Sequence, residues 1–218
     1  MTNSKRHNIY LLIVIFSVFL IMQSCSDSQK KAETAADIFS PEELITIHEI
    51  VGYFDSIVSS QLPETTDIGL VYNQYLDSVC PLMLKKGNIG LSGINARSRE
   101  ILFDKLDQDH LGEIFIVGDT LEYFSMNVKK KIKKYYPYYV VLNTDGKYVD
   151  LLKSLSVEST FIDNYYESII EYGDLSPSCY GMMLRDYDQL DFSDPDHRLL
   201  FIVNILHSNE QIKDRFRR

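Results

Sequence analysis

Residues 39–58, FSPEELITIHEIVGYFDSIV, carry the clearest fold signal in the chain. Ser40 and Glu43 have the spacing of a capping box, and Pro41 stands where proline is favoured in the first turn of a helix. Apolar residues then recur at intervals of three or four, at Leu44, Ile47, Val51, Phe54 and Val58. That spacing places them on one face of a helix. The stretch therefore predicts an amphipathic α-helix that begins at Pro41 and ends before Pro63.

Comparable signals in the rest of the chain predict an all-α fold, a compact multi-helix domain of short helices. Further helices are predicted over residues 67–80, 95–106, 122–134, 147–155 and 156–173, and two more begin at Pro177 and Pro195. Ser156 is the predicted N-cap of the helix that ends at Gly173. The three glycines at residues 87–93 predict a loop.

Residues 114–142 allow a second interpretation. Ile114–Val117 and Tyr138–Leu142 are short runs of β-prone residues. Runs of this length do not separate strand from helix by their periodicity. They predict either a minor two-stranded element near residues 114–142 or parts of helices, with a helix over Glu122–Lys134 between them.

The first 24 residues have the organisation of a signal peptide. Lys5 and Arg6 precede an apolar run at residues 9–22, and the small residue Ser24 follows. A basic start, an apolar run and a small residue before the break are typical of a secretory signal. The apolar run is shorter than the roughly 20 residues that span a membrane.

Cys25 gives this signal a more specific interpretation. With Met22-Gln23-Ser24-Cys25 at its end, the segment resembles the signal of bacterial lipoproteins. The resemblance implies cleavage before Cys25, acylation of that cysteine and a lipid-anchored place in the cell envelope. The residue after Cys25 is Ser26 and not an aspartate, which in enteric-type sorting allows the outer membrane, on its periplasmic face or its surface. An ordinary secretory signal or an uncleaved anchor remains the alternative.

The composition downstream of Cys25 predicts the domain organisation. Residues 26–37 contain no large apolar side chain, so residues 25–37 are predicted to be a lipidated cysteine followed by a flexible tether. Residues 38–218 are long enough for one well-buried domain, and no second linker divides them. Two cysteines lie in this domain, Cys80 and Cys179, and they predict either a disulfide, which an exported compartment permits, or two buried free thiols.

The acidic character of the chain excludes one class of partner. The net charge is −9, and loss of the two basic residues of the signal peptide makes it −11. Binding to nucleic acid needs a basic surface, so nucleic acid is not an expected partner.

No motif in the chain predicts a catalytic site, a metal site or a cofactor. The acidic string at residues 186–197 and the Asp107–Gly112 stretch both lack residues that a calcium loop requires. Of the histidines after Cys25, no two stand three or four residues apart, which is the spacing of zinc-binding helices. Aspartates of this kind more often cap helices or shape turns.

The most distinctive local feature is a cluster of basic and aromatic residues near the middle of the chain. It comprises Lys129, Lys130, Lys131, Lys133, Lys134, Tyr135, Tyr136, Tyr138 and Tyr139. In an acidic protein this segment predicts a binding patch for anionic headgroups, a charged glycan or an acidic envelope protein. The alternative is a solvated helix end whose lysines complement the helix dipole.

Residues 143–206 carry a second resemblance. They contain an Asp-Gly-Lys-Tyr turn at 145–148, a Gly-Asp-Leu-Ser-Pro-Ser link at 173–178 and the Asp194-Pro195 helix start. With these the chain resembles uncharacterised lipoproteins of Bacteroidetes-type bacteria, and the resemblance implies a fold without implying an activity. The sequence as a whole predicts a lipid-anchored, non-catalytic module that binds another macromolecule. The alternative is an envelope hydrolase whose active-site residues are dispersed along the chain.

Overall fold

Nine α-helices and one antiparallel pair of strands make up the part of the chain that the computed structural model describes, residues 32–86, 96–125 and 129–215. The elements are α1 (Ala35–Ile38), α2 (Pro41–Gln61), α3 (Ile68–Lys86), α4 (Ala96–Lys105), α5 (Gln108–Leu111), β1 (Phe115–Ser125), β2 (Lys130–Leu142), α6 (Lys147–Leu155), α7 (Thr160–Tyr172), α8 (Pro177–Arg185) and α9 (Pro195–Arg215), with a 3₁₀ turn at Tyr187–Gln189. The predicted all-α domain with a minor two-stranded element is confirmed. The predicted loop at residues 87–93 lies outside the described residues.

Helix α2 begins as its sequence predicts. The backbone N–H of Glu43 donates to Oγ of Ser40 at 3.3 Å, and the backbone N–H of Ser40 donates to Oε2 of Glu43 at 2.7 Å. This reciprocal capping box satisfies two donors that the helix itself leaves without partners. The predicted apolar positions Ile47, Val51, Phe54 and Val58 are all buried.

Helix α9 lies at the centre of the core. It packs against α2, α4, α8 and strand β2. Every residue from Asp196 to His207 is buried, and within this stretch Leu199–Val203, Ile205 and Leu206 are apolar. A helix that is hydrophobic all round must be enclosed by other elements. The surrounding helices therefore form a layer around α9.

Two helix boundaries differ from the prediction. Helix α3 was predicted to end at Cys80, but it continues through Pro81 to Lys86. A proline inside a helix removes one backbone hydrogen bond and costs about 3 kcal/mol. Cys80 and Met83 are both fully buried on either side of it, and their burial opposes that cost.

The second boundary is the start of α7. Its N-cap is Ser159 and not the predicted Ser156. Oγ of Ser159 accepts the backbone N–H of Ile162 at 3.2 Å. The N–H of Ser156 still donates to the carbonyl of Leu152, so this serine closes α6 instead. The end of α7 at Gly173 is confirmed, with a left-handed φ of 68° that glycine adopts without strain.

The N-terminal segment at residues 32–39 belongs to the folded body. The backbone N–H of Ala35 donates to Oδ2 of Asp196 at 2.9 Å, and the backbone N–H of Glu33 donates to Oγ of Ser154. Ala35 and Phe39 are buried. The compact unit therefore begins at Ala32, and the prediction that residues 32–37 are flexible tether is wrong.

Strands β1 and β2 replace the helix predicted over residues 122–134. They pair antiparallel from Phe115 opposite Leu142 to Ser125 opposite Lys130. The two β-prone runs pair with each other, Phe115–Gly118 with residues 139–142, and residues 120–125 pair with residues 130–135 beyond a register shift. Lys129 adopts a φ of 50° next to β2, a left-handed conformation that is uncommon outside glycine.

Candidate functional site

The hairpin of β1 and β2, called the ribbon below, consists of two ladders. The base ladder pairs Phe115–Gly118 with residues 139–142, and the distal ladder pairs residues 120–125 with residues 130–135. Between them a single residue of β1, Asp119, faces three residues of β2, at positions 136–138. Pro137 falls within this bulge, where its missing N–H removes no ladder hydrogen bond.

The base ladder is fixed to the core. Phe115, Val140 and Leu142 are buried, and the rings of Phe103 and Phe115 lie 5.9 Å apart between centroids. The backbone N–H of Leu142 donates to Oδ1 of Asp174 at 3.2 Å. On the other face of the base ladder, Ile116 is 57% exposed and pairs with Val141. One face of the base is therefore enclosed while the other meets solvent.

The distal ladder carries the predicted lysines on an exposed part of the ribbon. Lys129, Lys130, Lys131 and Lys133 are exposed, and Ile132 between them is half-buried. Lys134 and Tyr135 belong to the same ladder by register, and Tyr136 and Tyr138 to the bulge. The side chains at 134–138 lie outside the described residues, and Tyr139 is half-buried in the base ladder.

The charge of the distal ladder contrasts with that of the chain. Residues 120–135 contain five lysines and a single acidic residue, Glu122, whose register partner is Lys133. In the register, Lys130, Lys131 and Lys133 stand opposite Ser125, Phe124 and Glu122, so no lysine of the three faces another. They lie within three residues of one another along β2, where like charges repel, and an anionic ligand that bridges them would lower that repulsion.

His197 has a structural role at the start of α9. Its Nδ1 accepts the backbone N–H of Asp191 at 2.9 Å, which places the ring proton on Nε2. Nε2 lies 3.0 Å from Oε2 of Glu158 and donates to it. Both ring nitrogens are therefore engaged, and the side chain ties the 190–194 turn to the loop before α7.

His207 and Asp174 form a pair beside the base ladder. Nε2 of His207 lies 2.9 Å from Oδ1 of Asp174, and His207 is only 2% exposed. Burial pushes the pKa of Asp174 up, but hydrogen bonds from His207 and from the backbone of Leu142 and Leu175 outweigh it and leave that pKa below its ordinary value. The ring of His207 is enclosed, while the side chain of Asp174 keeps 30% of its area exposed.

Arg198 joins three helices. Its Nη1 donates to the carbonyl of Phe192 at 2.8 Å, and its Nε lies 3.3 Å from Oδ1 of Asp55. The same oxygen accepts the hydroxyl of Tyr72 at 2.9 Å. The ring of Tyr72 stacks on Phe192 with centroids 5.1 Å apart. Nothing in the sequence patterns pointed to this network, because its members lie far apart in the chain.

The acidic residues considered as calcium ligands serve local structure. Oδ1 of Asp107 accepts the backbone N–H groups of Asp109 and His110, and Oδ1 of Asp194 accepts that of Asp196. Oδ1 of Asp191 accepts the backbone N–H of Ser193. Within residues 32–86, 96–125 and 129–215, no group of three or more His, Cys, Asp or Glu side chains is arranged to hold a metal ion.

The two cysteines of the domain are free thiols. Cys80 in α3 is 0% exposed and Cys179 in α8 is 1% exposed. Burial, together with the nearby charge of Asp77, raises the pKa of Cys80 to about 12. Oγ of Ser176 donates to Sγ of Cys179 at 3.3 Å. The disulfide considered from the sequence is not formed in the structure, which has the alternative arrangement of two buried thiols.

Cys25 lies outside the described residues. Among the helices of the described part of the chain, none is long and apolar enough to cross a membrane. Comparison with protein-family models, with curated proteins and with solved structures found no match to this chain.

Proposed function

We propose that this chain is a lipid-anchored protein of the cell envelope, a non-catalytic module that binds another macromolecule and holds it at the membrane. In this proposal Cys25 carries the acyl chains and the ribbon makes the contact. The partner is an envelope protein or an anionic component of the envelope. In this proposal the domain catalyses no reaction and acts by holding its partner at the membrane.

The exposed lysines of the distal ladder support this proposal most directly. A two-stranded ribbon has little stability of its own in water, and here a buried base ladder supports it. The supported ribbon presents exposed lysines in a chain whose net charge is negative. The basic ribbon attracts an anionic partner, whereas the acidic remainder of the chain repels it, so an anionic partner is expected to meet the protein at the ribbon.

The length of chain before the folded body supports tethering. Seven residue steps separate Cys25 from Ala32, and an extended chain of that length reaches about 25 Å. A domain held so close to its anchor has a high effective concentration at the membrane, in the millimolar range for short flexible linkers. Weak contacts by the ribbon then suffice to retain a partner.

Capture from envelope extracts tests the proposal. The lipidated protein would be compared with a variant that carries Lys130→Ser, Lys131→Ser and Lys133→Ser. A control variant with Lys85→Ser, Lys105→Ser and Lys153→Ser changes the net charge equally at exposed positions of the helical body. We expect wild type and control to retain the same envelope component and the ribbon variant to lose it. Equal capture by all three proteins would contradict a role for the ribbon.

A further inference from the structure

We propose that the distal ladder binds the anionic phospholipid headgroups of the membrane that holds the chain. This inference rests on the lipid anchoring proposed above and, of the two kinds of partner named there, selects an anionic component of the envelope over an envelope protein. The ligand class is a phospholipid with a net negative headgroup. The ribbon would lie on the lipid surface as a second attachment beside the acyl chains.

The first step is the position of the ribbon relative to the anchored end of the body. Near one end of α6, Oγ of Ser154 accepts the backbone N–H of Glu33. Near the other end, the backbone N–H of Tyr148 donates to the carbonyl of Glu113 at 3.1 Å, two residues before β1. Six residues of helix between Tyr148 and Ser154 span about 9 Å. The segment that leads to Cys25 and the base of the ribbon therefore lie close together.

The second step is reach. At about 3.4 Å per residue, strand β1 from Phe115 to Ser125 is up to about 34 Å long. The chain from Cys25 to Ala32 reaches about 25 Å. These two lengths are comparable, so the tether does not prevent the distal ladder from meeting the membrane surface that would hold the acyl chains.

The third step is charge. An acidic body is repelled by an anionic membrane, and the repulsion is screened over about 8–10 Å at physiological salt. The distal ladder from Thr120 to Ser125 extends for about 17 Å beyond the bulge. The lysines nearest the end of this ladder, such as Lys130 opposite Ser125, therefore lie farther than one screening length along the ribbon from the bulge.

The fourth step separates lipid from protein as the occupant. The core of a protein–protein interface is depleted in lysine and enriched in arginine, because arginine forms paired hydrogen bonds with carboxylates. Residues 119–139 contain five lysines and no arginine. Clusters of four to eight basic residues are typical of segments that bind anionic lipid, and tyrosine is enriched at membrane interfaces. The composition of the ribbon matches the lipid case.

Vesicle binding tests this inference without the anchor. Residues 32–218 form one compact unit, so a chain that begins at Ser26 keeps that unit and carries no acyl chain. We expect it to bind vesicles that contain phosphatidylglycerol and not vesicles of phosphatidylcholine alone, with affinity that falls as salt rises. Lys130→Ser, Lys131→Ser and Lys133→Ser together should weaken binding by on the order of 100-fold, from the attraction that each basic residue near the surface contributes.

Two further variants make the result specific. The control with Lys85→Ser, Lys105→Ser and Lys153→Ser should bind as wild type does. Replacement of Lys130, Lys131 and Lys133 by arginine should also preserve binding, because it keeps the charge and the ribbon. Circular dichroism and the melting temperature show whether each variant is folded.

Several results would overturn the inference. These are equal binding to the two kinds of vesicle, equal loss in the ribbon variant and the control, and binding of poly-glutamate in preference to vesicles. The last result would identify an acidic polypeptide as the occupant. If vesicles are not bound but the ribbon variant still loses its component in envelope capture, lipid recognition is wrong and the proposed function stands. If both measurements are unaffected by the ribbon, both proposals fail.

Discussion

Asp174 links three separate segments of the fold through one carboxyl group. It accepts from His207 in α9 and from the backbone of Leu142 at the end of β2, while it lies in the link between α7 and α8. Its pKa is lower in the folded protein than in the unfolded chain. A carboxyl group of this kind stabilises the fold above its unfolded pKa, and that contribution is lost as pH falls through its folded pKa.

Asp174→Asn should therefore destabilise the protein in a pH-dependent way. We expect a loss of about 2 kcal/mol near neutral pH, the scale of a buried hydrogen bond to a charged group. The difference between variant and wild type should shrink as the pH is lowered below about 4. Urea unfolding across that pH range measures it. Asp145→Asn at an exposed turn is the control, with an expected change below about 0.5 kcal/mol. A difference that stays constant with pH would contradict the assigned charge of Asp174.

The proposed localisation depends on lipid attachment at Cys25. Cys25→Ala should abolish lipid attachment, because the proposed lipoprotein processing needs the thiol of that residue, and should leave an uncleaved precursor or a protein released by another route. Mass spectrometry of the mature wild-type protein should find an N-terminal acylated cysteine at this position. A mature N-terminus elsewhere, or one without acyl chains, would reject the lipoprotein assignment.

At the scale of elements, sequence predicts best what is determined locally. The start of α2 follows from Ser40 and Glu43, three residues apart, and the end of α7 follows from Gly173 alone. The sequence of residues 122–134 predicts a helix, whereas the structure has strands there. The strands are stabilised by pairing between residues 120–125 and 130–135, and a local helical pattern carries no information about that pairing. For α3, the burial of Met83 overrides the stop signal of Pro81.

The same limit applies to the candidate site. The lysines at 129–134 are visible in the sequence, but their placement on an exposed ladder depends on pairing with residues 120–125. The network of Arg198, Asp55 and Tyr72 depends on the packing of three helices and has no local signature.

The start of α7 gives a test at this scale with a matched control three residues away. Ser159→Ala removes the side chain that accepts the backbone N–H of Ile162, and loss of such an N-cap costs about 1 kcal/mol. Ser156→Ala removes only a hydroxyl that donates to the carbonyl of Lys153, so its cost should be smaller. Thermal or urea unfolding of the two variants measures the difference. A larger loss of stability in Ser156→Ala than in Ser159→Ala would show that Ser156 is the N-cap.

For the whole molecule, the two buried thiols predict a fold that does not depend on redox conditions. The chain that begins at Ser26 should show two free thiols after denaturation and almost none before it, because both sulfur atoms are enclosed and the raised pKa of Cys80 disfavours its reactive thiolate form. Its melting temperature should be the same with and without reductant. Thiol titration that finds no free thiols in the oxidised, denatured protein would show a disulfide.

The boundary of the folded body gives the last test. Chains that begin at Ser26 and at Ala32 should have the same melting temperature, since both keep the contacts of residues 32–39. A chain that begins at Phe39 loses the burial of Ala35 and leaves Oδ2 of Asp196 without the N–H that it accepts. Removal of one partner from a buried hydrogen bond costs about 1–3 kcal/mol, and more for a charged group.

We therefore expect the shortest chain to melt several degrees lower, and thermal unfolding of the three chains measures this. Ala35→Gly in the longer chain keeps the backbone hydrogen bond and removes only one methyl group, so it should fall between the two. Identical melting of all three chains would place the boundary at residue 38 and make the tether longer. In that case Cys25 would hold the ribbon less closely to the membrane, and the combined reach of tether and ribbon would no longer favour lipid as its occupant.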